Sequence, residues 1–108
     1  MANTFKSVTS GSIGTTLTDV YTCPAATTTI ILGASIANIH TNPIGGSIKL
    51  AKNGGDDVFI VKAAPVPVGS TVEVMSGNKV VLESADILQF QSDTAGSMDT
   101  IVSLLEIS

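Results

Sequence analysis

Side chains suited to nucleophilic or acid–base chemistry are few in this sequence. Cys23 is its one cysteine and His40 its one histidine. A thiol–imidazole dyad would have to join these two residues. A serine–histidine–acid triad would have to combine His40 with one of the many serines. His40 stands beside Thr41-Asn42-Pro43, a polar turn sequence without the glycine-flanked serine of a nucleophile elbow. The plain readings are a small buried thiol and a loop histidine that is exposed or hydrogen-bonded. Asp56-Asp57 are the only adjacent carboxylates, set in the Gly-rich run Asn53-Gly54-Gly55-Asp56. A calcium ion needs about six to eight oxygen ligands, so this pair would need donors from elsewhere, and it reads as a solvated turn. The glycines are dispersed, with no Gly-x-x-x-x-Gly-Lys phosphate loop. Sugar sites favour exposed aromatic rings, and there is no Trp, one Tyr and three Phe. The sequence therefore nominates no catalytic residue, no cofactor-binding residue and no metal ligand, and it reads as that of a non-enzymatic protein without a cofactor.

Composition narrows the partners. Hydrophobic residues make up 44% of the 108 residues, and charged residues 13%. That charged share is about half of the roughly 25% usual in soluble domains. The mean hydropathy of +0.44 is high for a solitary soluble domain. Partners that cover apolar surface would account for it. A spanning helix would not, because the densest apolar run, Ile30 to Ile39, is short and holds Gly33, Ser35 and Asn38. The first residues, MANTFKSVTSGS, lack the continuous apolar region of a secretory signal. A net charge of −4, carried with five lysines and no arginine, argues against nucleic acid, whose binders show basic, Arg-rich faces. A single cysteine precludes an internal disulfide, which suits assembly in a reducing compartment.

The elements that would hold these residues are strands. Residues 1–14 are rich in Ser, Thr and Gly and read as an N-terminal arm, mobile or docked on a neighbour, with Phe5 as a natural anchor. Residues 15–108 read as one β-sandwich domain. Asp19 to Cys23 is a first strand, stopped by Pro24. Thr27 to His40 is a long second one, with Ile30, Leu32, Ala34 and Ile36 expected on one face and Gly33, Ser35 and Ala37 on the other. Gly45 to Lys52 alternates cleanly, placing Gly46, Ile48 and Leu50 on one face. The Asn53–Asp56 turn joins it to a return strand, Asp57 to Lys62, as a hairpin. Pro65 and Pro67 mark an extended connection or an edge. Thr71 to Met75 and Lys79 to Glu83 are expected to pair as a second hairpin around Ser76-Gly77-Asn78. Ile87 to Gln91 and Asp99 to Ile107 complete the set, the last nearly continuous in apolar residues. About eight short strands at this spacing predict an all-β fold, an antiparallel sandwich or jelly-roll-like barrel. Both Ile30–Ile39 and Ile101–Ile107 carry apolar side chains on two faces, whereas a lone sandwich needs one. The surplus predicts burial against other chains.

Several phrases recur in a familiar order. Val20-Tyr21-Thr22 precedes Pro24, Thr27-Thr28-Thr29-Ile30-Ile31 and Ser35-Ile36-Ala37-Asn38. Ile60-Val61-Lys62-Ala63-Ala64-Pro65-Val66-Pro67 follows with Gly69-Ser70, then Lys79-Val80-Val81-Leu82-Glu83 with Asp86, and Ile101-Val102-Ser103-Leu104-Leu105-Glu106. This order resembles small virion structural proteins of tailed bacteriophages, especially those infecting marine cyanobacteria, over roughly Leu17 to the end. The resemblance implies a non-enzymatic particle component assembled in the host cytoplasm. Foremost is a capsid decoration, or cement, protein that binds the major capsid protein lattice as a homotrimer. A tail, baseplate or fibre-attachment module and a glycan-binding module of the virion surface are the alternatives. The resemblance transfers no functional residue.

Overall fold

A computed structural model describes residues 2–75 and 79–108. Among the described residues are nine strands: β1 (Asn3–Ile13), β2 (Thr18–Thr22), β3 (Thr28–Asn38), β4 (Ile44–Ala51), β5 (Val58–Val66), β6 (Thr71–Glu73), β7 (Val80–Leu82), β8 (Ile87–Ser92) and β9 (Met98–Ile107). They form two antiparallel sheets, ordered β1-β9-β3-β6, with β7 also on β3, and β2-β8-β4-β5. β6 and β7 pair with successive stretches of β3, Glu73 opposite Ser35 and Val80 opposite Ile31. They therefore form one interrupted edge strand. Counted as one, they leave eight strands, ordered 1-8-3-6 and 2-7-4-5, which is the jelly-roll arrangement of two Greek keys. The all-β sandwich expected from strand spacing is the observed architecture.

Core formation follows from alternation. Ile31, Ile36, Val102 and Leu104 from the first sheet meet Ile48, Leu88 and Phe90 from the second, all buried. Gly46 lets the sheets close: a Cβ there would lie 3.1 Å from Ile36 Cδ1 and Met98 Sδ. The β4–β5 hairpin forms around the Asn53–Asp56 turn, with Leu50 opposite Val58. Pro65 lies on β5, a sheet edge, where a missing N–H costs no ladder bond.

Three expectations are corrected. Residues 3–13 are not an arm but strand β1, in continuous register with β9 from Asn3–Ile107 to Ser10–Thr100. Second, β6 and β7 pair with β3 rather than with each other; the expected turn at Ser76-Gly77-Asn78 lies outside the described residues. Third, the faces of β3 exchange along its length. Ile31 pairs with Leu104 and Gly33 with Ser103, so Leu32 is an extra, bulged residue. One extra residue reverses the side-chain parity. Thr29 and Ile31 are therefore buried together with Ala34, Ile36 and Asn38, while Ile30 and Leu32 turn to the outer face.

Candidate interaction surface

The structure separates the residues with chemical potential. Cys23 precedes β3 and His40 follows it. Thr29, which touches the Cys23 sulfur at 3.3 Å, is nine residues from Asn38, whose Oδ1 accepts the His40 N–H. At ~3.3 Å per strand residue, about 30 Å lies between the two neighbourhoods, so they share no dyad. The Cys23 thiol is buried, also 3.3 Å from the Thr27 carbonyl. Asp56 and Asp57 are exposed in the hairpin turn, and Asp57 Oδ1 accepts the Lys52 N–H. Among the described residues no three His, Cys, Asp or Glu side chains gather into a metal-binding group.

Charged side chains are instead engaged in holding turns and edges. Asp86 is buried and accepts from Lys52 Nζ at 2.7 Å, from the Asn53 N–H and from the Glu83 N–H. It thereby ties the β4–β5 turn to the β7–β8 turn. Burial would raise its pKa, but the Lys52 ammonium and the two amides outweigh that and hold it below the usual aspartate value. Glu73 plugs the break in the edge strand. Its Oε1 accepts the N–H groups of Ala34 and Met75, and its Oε2 the Ser35 hydroxyl. Burial opposes ionisation there too, and these donors again prevail, so its carboxyl stays low. Tyr21 donates to Glu106 at 2.6 Å, and Lys6 bridges the same carboxylate at 3.1 Å. Burial foremost, then the carboxylate, pushes the Tyr21 phenol upward.

Part of the exposed apolar surface is organised by the sheet register. On the outer face of the first sheet, Phe5 stands opposite Leu105, Leu105 opposite Ile30, and Ile30 opposite Val81. One row thus crosses β1, β9, β3 and β7 with no polar side chain in it. Phe5 is 74% exposed and Val81 51%. Leu32, put outside by the bulge, and Ile101 add to the same face, both exposed. The corresponding row on the second sheet is Asp19, Gln89, Lys49 and Phe59. There Gln89 donates to Asp19 at 2.8 Å, and the Lys49 and Lys62 ammonium groups lie 5.5 and 4.4 Å from the Phe59 ring centroid. That row satisfies itself, whereas the first row presents apolar surface to whatever adjoins it.

Two open depressions of about 260 and 250 Å³ flank these rows. The first is lined in part by Ser47, Lys62, Gln91 and Asp93, the second by Ser35, Thr71, Asp99 and Ile101. Neither carries a nucleophile with an adjacent base.

Sequence reasoning singled out Phe5 and the two-faced runs of β3 and β9. Val81 is not legible there, because Lys79 to Glu83 reads locally as half of a hairpin. Non-local pairing is what places Val81 beside Ile30, and the local sequence holds no signal of it. No protein-family model and no curated protein matches the sequence.

Proposed function

We propose that this chain is a non-enzymatic structural protein of a bacteriophage virion, a capsid decoration protein that self-associates and binds the major capsid protein lattice. The reading begins from the sequence resemblance and is supported by one surface observation, the uncovered apolar row Phe5–Leu105–Ile30–Val81. Fully burying a Val, Leu, Ile or Phe side chain contributes about 1.5–3 kcal/mol. Such a row draws a partner onto the outer face of the first sheet. Jelly rolls occur in viral capsid proteins, lectins and cupins alike, so the fold admits the role without selecting it.

The test is binding to purified particles. Wild-type protein co-sediments with the capsids of the phage that encodes it, at hundreds of copies each. Val81→Asp, at the exposed margin of the row, leaves folding intact and reduces the bound fraction at least tenfold. A dozen copies or fewer would move the protein to the tail, and absence from particles would end the virion reading.

A further inference from the structure

The four sheet margins differ in how they end. β5 carries Pro65 and two register shifts against β4. β2 has five residues, one register shift, and Pro24 just beyond it. The β6/β7 margin is interrupted and plugged by Glu73. These are the devices by which sheets avoid pairing with other chains. From Asn3 to Ser10 β1 has neither proline nor register shift, and its one charge, the Lys6 ammonium, is drawn onto Glu106 of the same chain.

The ladder shows which β1 groups are free. Ala2 and Ser108 exchange both backbone hydrogen bonds, at 3.0 and 2.9 Å. Such pairs alternate with open ones along an antiparallel ladder. Thr4, Lys6 and Val8 therefore bond β9, and Asn3, Phe5 and Ser7 direct N–H and C=O groups away from the sheet. The free groups belong to the residues whose side chains lie on the apolar outer face.

We propose that β1 joins a second copy of this chain, antiparallel, about a two-fold axis at Phe5. This replaces the three-fold arrangement implied by the resemblance, and it rests on the reading of the chain as self-associating. In this register Phe5 faces the partner's Phe5, and Asn3 faces the partner's Ser7. All three outward residues then exchange hydrogen bonds with their counterparts. The most exposed aromatic sits at the centre of the contact, where energetic anchors cluster. The two apolar rows join into one continuous row across eight strands. Lys6 faces the partner's Thr4. A register one residue further along would set Lys6 against the partner's Lys6, like charges directly opposed. A register centred on Ser7 would set Phe5 against the partner's Thr9 and break the row.

Ser7→Pro tests the edge and spares every β1–β9 hydrogen bond, because the Ser7 N–H points away from β9. By sedimentation equilibrium the wild type is a dimer of twice 11.0 kDa. The variant dissociates about 10- to 100-fold more readily, from two lost hydrogen bonds. Amide exchange reads the same edge in the unaltered chain: Asn3, Phe5 and Ser7 gain protection as concentration rises. That measurement decides the matter alone if Ser7→Pro does not fold. A monomer at all concentrations, or an oligomer of any size in which these three amides exchange freely, overturns the proposal. The virion reading fails separately: a β1 dimer absent from particles ends that reading and leaves the edge, and abundant particle-bound protein with freely exchanging Phe5 and Ser7 amides does the reverse.

Discussion

Two rows of four residues, each crossing four strands of a sheet, face away from the same core. Asp19–Gln89–Lys49–Phe59 on the second sheet contains a hydrogen bond and a cation over a ring. Phe5–Leu105–Ile30–Val81 on the first sheet contains neither. Both sheets contribute to one buried cluster on their inner faces. The first row leaves apolar surface uncovered, and the second pairs its polar groups within itself.

The contrast can be broken most severely through the layer that both sheets share. Ile48→Asp puts an unpaired carboxylate into a site with no exposure. It is expected to cost about 4–5 kcal/mol or more and to abolish soluble expression. Leu50→Asp, at a half-buried position on the same strand, costs less and leaves folded protein. Soluble Ile48→Asp protein with a cooperative unfolding transition would contradict the assignment of one continuous core.

Asp86→Ala comes next, at about 2–4 kcal/mol, because it strands two backbone N–H groups and leaves Lys52 with Glu83 as its one carboxylate partner. Its folded pKa lies below the unfolded one. The stability it contributes is therefore complete above the unfolded value of about 4, and it is lost as pH falls through the folded value. Chemical denaturation from pH 7 to pH 3 should show the wild type losing more stability than Asp86→Ala. Parallel curves would remove Asp86 from the acid response.

On the rows themselves the effects diverge. Phe5→Asp leaves unfolding free energy within about 0.5 kcal/mol, because the ring is largely in solvent. It abolishes self-association, read by light scattering. Lys49→Ala has the smallest effect, a loss of about 0.5–1 kcal/mol from the exposed cation–ring contact. It leaves self-association unchanged. Equal effects of both variants on association would erase the distinction between the rows.

The local parts of the fold were legible in the sequence. Alternation through Gly45 to Lys52 and the Asn53–Asp56 turn defined the β4–β5 hairpin. Apolar residues on both faces of β3 and β9 pointed to an apolar outer face, which Leu32 and Ile101 expose. Long-range pairing was not legible. β1 is Ser/Thr-rich, and its partner β9 lies about a hundred residues away, as in Phe5–Leu105. β6 and β7 look like a hairpin locally, and only the presence of β3 beside both decides otherwise. Gly33 beside the bulge at Leu32 is the kind of strand glycine that marks one, but the exchange of faces along β3 is fixed only by its pairing with β9.

The carboxylate of Glu73 has a consequence for the size of any assembly. Polymer chemistry separates monomers with two reactive ends, which grow into chains, from those with one, which stop after a single coupling. Under the dimer proposal β1 is the single coupling end: the opposite margin is cut between β6 and β7, where the Glu73 side chain occupies the amides of Ala34 and Met75, so coupling through β1 stops at two copies.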